Sequence, residues 1–231
     1  MGGPTDGPWA ARGCTPMAKY VPALRFRLLT PLYDRVTDIG LLGRPVREEL
    51  VSGAGIQPGH RVLDFGCGTG TLSLMVKARH PLATVVGVDV DDEVLASARY
   101  KAARQGLDVR WDLYDGARLP YPDGGFDRVL TSLVVHHIAD KAPVLRELLR
   151  VLRPGGELHL LDIGPPRSAY ARAFAAVHVM LEPTSENLQG LLGAMLAGAG
   201  FADVSELSRH GSAFGSLSIV RARRPRTASQ P

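Results

Sequence analysis

The stretch VLDFGCGTG, residues 62–70, decides how this chain folds. It opens with apolar residues that are typical of a buried strand, and glycines at positions 66, 68 and 70 then require a tight turn. The segment TLSLMV that follows, residues 71–76, has the character of the first turns of a helix. A strand, a glycine turn and a helix in this order predict the first unit of an α/β sheet. Because glycine has no Cβ atom, the backbone of this turn can approach a ligand closely.

A carboxylate follows the next predicted strand. Residues 84–88, TVVGV, are mostly apolar, and Asp89 comes directly after them. Because parallel strands end at the same edge of a sheet, we expect Asp89 to lie beside the glycine turn. A carboxylate in this position accepts hydrogen bonds from both hydroxyl groups of a ribose. The two features together predict a cofactor that contains adenosine.

The glycine spacing distinguishes between two such cofactors. A dinucleotide fingerprint, G-x-G-x-x-G, would place its third glycine at position 71, where this chain has Thr71. Asp64, at the end of the first strand, is a poor neighbour for a pyrophosphate and suits a ligand with an amine or a positive charge. S-adenosylmethionine has a ribose, an ammonium group and a sulfonium but no phosphate. The residues therefore favour S-adenosylmethionine over NAD.

Composition is that of one ordinary globular domain. The chain has 231 residues, of which 45% are hydrophobic and 22% are charged. The net charge of +4 is carried by arginines between residues 221 and 231, so the sequence predicts no basic face for a nucleic acid. No apolar run approaches the length of about 18 residues that a membrane span needs.

The cysteines and the two ends of the chain complete this outline. Cys14 and Cys67 suggest neither a disulfide framework nor a metal site, and two reduced thiols favour the cytoplasm. The excess of arginine over lysine suggests a bacterial, GC-rich genome. We expect a disordered leader at residues 1–18, one folded domain at 19–222 and a disordered basic tail at 223–231.

Strand and helix patterns alternate along the domain, which predicts a mainly parallel sheet with helices on both faces. The predicted strands are residues 61–65, 84–88, 109–113, 128–132, 157–162, 204–208 and 216–221. The predicted helices are residues 24–37, 45–53, 71–79, 93–105, 141–152, 169–181 and 187–199. The helix at 141–152 is expected to stop at the Pro-Gly-Gly of residues 154–156.

The chain resembles the class I S-adenosylmethionine-dependent methyltransferases, and within them the ubiquinone/menaquinone-biosynthesis C-methyltransferase group. The resemblance spans about residues 20–221 and identifies 19–222 as a methyltransferase domain. Its motifs are YDRVTDIGLLGRPVR (33–47), VLDFGCGTG (62–70), VVGVDVDDEVL (85–95), DGARLPYPDGGFD (115–127), RVLTSLVVHHI (128–138) and RVLRPGGELHLLDIG (150–164). The resemblance implies a Rossmann-like, seven-stranded, mostly parallel sheet with N-terminal lid helices.

The resemblance also implies roles for particular residues at the cofactor. The turn around the methionine portion would be formed by Gly66, Gly68, Thr69 and Gly70. Asp89, followed by Val90, would hold the ribose, and Asp115 with Gly116 would lie against the adenine. Ser132 would sit beside the methionine carbon chain, Asp64 would approach the ammonium group, and Tyr33 would belong to the lid. Asp115 has the alternative of an ordinary Asx turn, and Ser132 that of a capped strand end.

Two histidines follow the fourth predicted strand, where the loop should face the methyl donor. His137 is our candidate for a base that assists the chemistry, with His136 as the weaker choice. Alternatively, one histidine packs under the loop and the other is solvated. The quinone C-methyltransferases usually have another polar pair here, and an Asn where this chain has Thr37.

These observations predict methyl transfer from S-adenosylmethionine to a C or O atom of a small, apolar or aromatic, quinone-like acceptor. A non-catalytic S-adenosylmethionine-binding regulator or assembly partner is the alternative. A nucleotide-dependent oxidoreductase is disfavoured by Thr71. No nucleic acid partner is expected, and a homodimer is one assembly that the sequence allows.

Overall fold

The structure is a computed structural model that describes residues 43–164, 190–212 and 215–226. The leader, the predicted helices 24–37 and 169–181 and the lid residue Tyr33 lie outside these residues. In chain order the elements are α1 (Gly43–Gly53), β1 (Arg61–Phe65), α2 (Thr71–Arg79), β2 (Thr84–Asp89), α3 (Asp92–Gln105), β3 (Arg110–Leu113), β4 (Phe126–Ser132), a 3-10 turn (Val135–His137), α4 (Lys141–Val151), β5 (Leu152–Gly164), α5 (Leu192–Gly198), β6 (Ala202–Ser212) and β7 (Gly215–Arg223).

The sheet confirms the predicted seven-stranded, mostly parallel arrangement. Its strand order is β3-β2-β1-β4-β5-β7-β6. β7 runs antiparallel to both β5 and β6, and the other pairs are parallel. The chain leaves β1 toward β2 on one side and returns later to place β4 on the other side. This reversal opens a crevice at the carboxyl ends of β1 and β4, where open α/β sheets bind their ligands.

Helices cover both faces of the sheet, as the alternation predicted. Neighbouring β4 residues point in opposite directions. Leu130 packs in one apolar cluster with Leu50 of α1 and Leu72 of α2. Val129 packs in the other cluster with Leu145 of α4 and Leu196 of α5. Because both faces are buried, the central strands are apolar along most of their length, and polar residues such as Asp64 stand out at their carboxyl ends.

Most predicted elements agree with the structure to within two residues, and the main difference is at the start of β5. α4 ends at Val151 and β5 begins directly at Leu152, so the Pro-Gly-Gly of residues 154–156 lies inside the strand. Phe126 pairs with Leu152, whereas Arg128 pairs with Glu157, which makes this segment a bulge. Proline and glycine, which were expected to separate a helix from a strand, are accommodated here by that irregular register.

The predicted basic tail at 223–231 is wrong at its start. Arg223 is the last residue of β7, and its Nη2 lies 2.9 Å from Oε1 of Glu157. Arg224 donates from Nη1 to the carbonyl oxygens of Arg150 and Leu152 over 2.8 and 2.5 Å. These arginines therefore satisfy acceptors at the end of α4 and in β5, which a run of basic residues does not reveal in sequence. Residues 227–231 lie outside the described part of the chain.

None of the helices formed by residues 43–164, 190–212 and 215–226 has the length and apolar character needed to cross a membrane.

Candidate functional site

The glycine turn lies at the carboxyl end of β1, in the crevice beside β2 and β4. Gly66, Gly68 and Gly70 all have positive φ angles, of 68°, 52° and 81°. The backbone N–H groups of Gly66 and Cys67 both donate to the carbonyl oxygen of Val88, over 2.9 and 3.1 Å. The turn is thus tied to the end of β2, and its conformation requires residues that tolerate the left-handed region.

The glycines of the turn face different surroundings. A Cβ atom on Gly66 would lie 2.5 Å from Val134 Cγ2, and one on Gly70 would lie 2.5 Å from Trp111 Cη2. A Cβ atom on Gly68 would meet nothing within 4 Å. Packing inside the protein is therefore sufficient to require glycine at 66 and 70. Gly68 is the position where the bare backbone faces open space.

Asp89 ends β2 beside this open space. Its Oδ2 accepts a hydrogen bond from the Gly68 N–H over 2.8 Å, and its Oδ1 accepts from the Asp91 N–H over 3.1 Å. Burial raises the pKa of this carboxyl group. Each oxygen of a carboxylate has a second acceptor position, so both remain able to accept from hydroxyl groups of a ribose. Val90 is partly buried against the core.

Asp64 lies at the end of β1, directly before the turn, and is only 1% exposed. The Ser73 hydroxyl donates to its Oδ2 over 2.5 Å. Burial raises the pKa of the Asp64 carboxyl to about 7, the charge of Asp89 adds to this, and hydrogen bonds from Ser73 and the charge of Arg47 oppose it. A group with this pKa gains a negative charge readily when a cation comes close.

The raised pKa of Asp64 predicts a specific pH dependence of stability. The folded protein binds the proton of the Asp64 carboxyl more tightly than the unfolded chain does. The resulting stabilisation of the folded state is complete below the pKa that Asp64 has in the unfolded chain, and it is lost as pH rises toward about 7. Relative to Asp64→Asn, which does not titrate, the wild type should lose about 2 kcal/mol of unfolding free energy between about pH 5 and pH 7. Urea denaturation of both proteins at the two pH values measures this, and a constant difference would contradict it.

The other predicted cofactor residues lie at the same edge of the sheet or close to it. Asp115 is exposed, and its Oδ1 accepts from the Ala117 N–H over 2.9 Å, which is the Asx turn that the sequence left as an alternative. A Cβ atom on Gly116 would meet nothing within 4 Å. Thr69 Oγ1 accepts a hydrogen bond from Lys101 Nζ over 2.8 Å. Their contacts with a cofactor stay predictions.

Arg47 is a site residue that sequence reasoning did not single out. It lies on α1, is 9% exposed, and its Nε donates to Ser132 Oγ at the end of β4 over 3.5 Å. The sequence did contain an indication of its burial, because this arginine lies on the same helix face as the buried Val46, Leu50 and Val51. Its position brings a positive charge to the crevice, near Asp64.

The two histidines lie in the 3-10 turn that follows β4. Nδ1 of His136 is 2.6 Å from Oδ1 of Asp162, whose side chain is 1% exposed, and the His136 N–H donates to Oδ2 of Asp162 over 3.2 Å. The ring of His137 stacks on that of His136 with centroids 3.8 Å apart. The structure thus gives a carboxylate partner to His136, the weaker of the two sequence candidates. The role predicted for His137 stays a prediction. Asp162 was not identified as a site residue from the sequence.

The residues present fit a cofactor such as S-adenosylmethionine. The open space at Gly68 adjoins the Asp89 carboxylate, which can accept from a ribose. Asp64 lies beneath the same turn, and acidic groups on both sides suit a cation better than a pyrophosphate. The geometry thus agrees with the choice that the glycine spacing favoured.

Comparison with known proteins gives a consistent result. Residues 62–156 match the family model described as "Methyltransferase domain". The chain is 41% identical over 143 residues to a demethylmenaquinone methyltransferase of Thermus thermophilus, an alignment that covers 61% of this chain and 65% of that protein. It is 33% identical over 159 residues to a 2-phytyl-1,4-naphtoquinone methyltransferase of Synechococcus elongatus, covering 67% of this chain and 68% of that protein. The chain therefore spans just under two thirds of the Thermus relative.

A solved structure shares the fold. The YcgJ protein of Bacillus subtilis superposes with a TM-score of 0.66 at 19% identity, over 80% of this chain and 100% of that one.

Proposed function

Because the chain belongs to the class I S-adenosylmethionine-dependent methyltransferases, we propose that it transfers a methyl group from S-adenosylmethionine to a small-molecule acceptor. The observation that carries the proposal is the juxtaposition of Gly68, with open space where a Cβ would be, and the Asp89 carboxylate at the reversal point of the sheet. The names of the two relatives, a demethylmenaquinone and a 2-phytyl-1,4-naphtoquinone methyltransferase, support an apolar, aromatic, quinone-like acceptor.

The residues of the crevice have complementary roles in this proposal. Asp89 accepts hydrogen bonds from the ribose, and the Gly68 backbone lies against the methionine portion. Asp64 offers a negative charge to the ammonium group. The bound cofactor supplies an activated methyl group on a sulfonium, so the protein mainly has to hold the acceptor in line and keep water out. Such positioning can supply about 7–11 kcal/mol of the barrier.

The remaining predicted contacts complete the pocket. We propose that Asp115 and Gly116 lie against the adenine and that Ser132 and Thr69 lie near the methionine chain. We also propose that the N-terminal segment with Tyr33 closes over the cofactor. We further propose that the reaction takes place in the cytoplasm of a bacterial cell; the free, buried thiol of Cys67 and the bacterial relatives support this. The assembly state is open to measurement by light scattering, and no nucleic acid takes part.

The proposal is tested by calorimetry followed by a turnover assay on the full chain. S-adenosylmethionine and S-adenosylhomocysteine should bind, and NAD should not. Incubation with a 2-prenyl-1,4-naphthohydroquinone should then release S-adenosylhomocysteine and add one methyl group to the acceptor, with an acceptor-free reaction as the control. Absence of S-adenosylmethionine binding would contradict the proposal. Binding without turnover on any aromatic acceptor would instead favour a non-catalytic binding protein.

A further inference from the structure

A histidine and a buried carboxylate meet at the carboxyl edge of β4 and β5. These strands are neighbours in register, with Ser132 opposite Leu161, so the turn after β4 comes directly over Asp162. The resulting distance from His136 Nδ1 to Asp162 Oδ1 is 2.6 Å. The side chain of His136 keeps 17% of its surface exposed, while that of Asp162 keeps 1%. The pair thus has a buried end and an accessible end.

The contacts of Asp162 define which nitrogen of His136 carries a proton. The backbone N–H of Ile163 donates to Oδ1 over 2.7 Å, and the backbone N–H of His136 donates to Oδ2 over 3.2 Å. A carboxylate that already accepts two N–H groups is suited to accept a third, from Nδ1 of the imidazole. That hydrogen bond leaves the lone pair on Nε2, the nitrogen that can receive a proton.

The surroundings hold the imidazole ring in place. His137 stacks on it with ring centroids 3.8 Å apart, and the turn that carries both residues is closed by hydrogen bonds from the His137 and Ile138 N–H groups to Val134 and Val135. Leu133, at the start of this segment, donates to the Leu161 carbonyl over 2.8 Å and so fixes the turn to β5. A base held between a carboxylate and a stacked ring needs little reorganisation when a proton arrives.

We propose that His136, oriented by Asp162, is the base that removes a proton from a hydroxyl group of the methyl acceptor. This inference rests on the proposed methyltransferase function and narrows its substrate class to hydroxyl-bearing aromatics such as hydroquinones and phenols. Asp162 is a positioning residue, because it acts through the imidazole. The buried carboxyl of Asp64, at the end of β1, is engaged by the Ser73 hydroxyl.

The proposed step balances as follows. The acceptor O–H bond breaks and its proton moves to Nε2 of His136. The electron pair left on oxygen, delocalised into the ring, forms the new bond to the methyl carbon at oxygen or at a ring carbon, as the bond from sulfur to that carbon breaks with its pair on sulfur. For methylation at carbon, the ring C–H proton is then lost and the hydroxyl group is restored. One proton is released for each methyl group transferred.

The test uses His136→Asn and Asp162→Asn, with His80→Asn as the matched control, since His80 lies at the far end of α2. The probe is 2-prenyl-1,4-naphthohydroquinone, kept reduced. We expect His136→Asn to lower kcat by about 10²–10⁴-fold, with little change in KM or in the Kd of S-adenosylmethionine. Asp162→Asn should lower kcat by at least about tenfold, and His80→Asn should leave it unchanged.

Two further readouts separate a catalytic role from a structural one. Added imidazole should restore part of the activity of His136→Gly, in which the ring has been removed and a cavity left. In ¹⁵N-histidine NMR spectra, the cofactor-free protein should show a strongly hydrogen-bonded Nδ1–H of His136, which Asp162→Asn removes without moving the signals of His80. The second readout does not depend on turnover.

The outcomes are distinguishable from failure of the proposed function. Retention of a third or more of the wild-type kcat by His136→Asn would overturn the base assignment while leaving methyl transfer intact. A loss in His137→Asn as large as that in His136→Asn, together with no rescue by imidazole, would also overturn it. A wild type that binds no S-adenosylmethionine would overturn both proposals.

Discussion

Gly70→Ala should lower the free energy of unfolding by about 2–5 kcal/mol. The new Cβ atom would lie 2.5 Å from Trp111 Cη2 and 2.8 Å from the Cβ atom of Ala98. The Ala98 atom is fixed to the backbone of α3 and cannot rotate away. The φ angle of 81° adds the cost of a left-handed conformation, about 1–2 kcal/mol, to an overpacking cost of about 1–3 kcal/mol.

Gly106→Ala is the matched control for this prediction. Gly106 also has a positive φ angle, of 64°, at the end of α3, but a Cβ atom there would meet nothing within 4 Å. Both variants carry the backbone strain, and only Gly70→Ala carries the collision. Urea denaturation followed by circular dichroism gives the two free energies. A difference of less than about 1 kcal/mol between them would contradict the collision, because both Trp111 and the backbone of α3 at Ala98 would then have to shift at little cost.

Asp89→Ala should weaken binding of S-adenosylmethionine by about 1.5–3 kcal/mol and should also destabilise the fold. The binding loss is that of hydrogen bonds to a charged group. The loss of stability arises because Oδ2 of Asp89 accepts from the Gly68 N–H and Oδ1 from the Asp91 N–H, which would lose their partner. Sequence alone predicts the first effect with little loss of fold, since it does not show that this carboxylate also holds the turn.

Calorimetry with S-adenosylmethionine and thermal denaturation measure the two effects of Asp89→Ala separately. Asp92→Ala is the control, because Asp92 is an exposed acid at the start of α3 whose side chain pairs with Arg99. It should change neither the dissociation constant nor, by more than a few tenths of a kcal/mol, the stability. An unchanged dissociation constant in a folded Asp89→Ala protein would rule out the ribose assignment.

The local part of the site could be predicted from sequence, because its signals are local. A strand, three glycines and a helix follow one another within residues 61–79, and the structure has β1 and α2 at the predicted bounds. Asp89 was found in the same way, since it directly follows an apolar strand. In such segments, the type of each residue reflects the backbone conformation and the burial at its own position.

Arg47 and the partner of His136 could not be found in this way. Arg47 reaches Ser132 from a helix that precedes β1, and Asp162 reaches His136 through the register of β4 and β5. Neither contact leaves a periodic pattern, because each joins elements that are far apart in the chain. The same reason explains the error at Arg223 and Arg224, whose acceptors belong to α4 and β5.

The unequal surroundings of the glycines bear on how this motif diverges through evolution. At Gly66 and Gly70, neighbouring side chains leave no room for a Cβ atom, whereas Gly68 faces open space. A descendant that lost its cofactor would therefore keep the first and third glycines under selection for folding alone. The middle glycine would be left with only the preference of its positive φ angle of 52°, which Asn or Asp also tolerates. Asp89 would still be kept by its hydrogen bond from the Gly68 N–H. Within this lineage, the residue at position 68 is the informative marker for separating active members from inactive copies that have kept the fold.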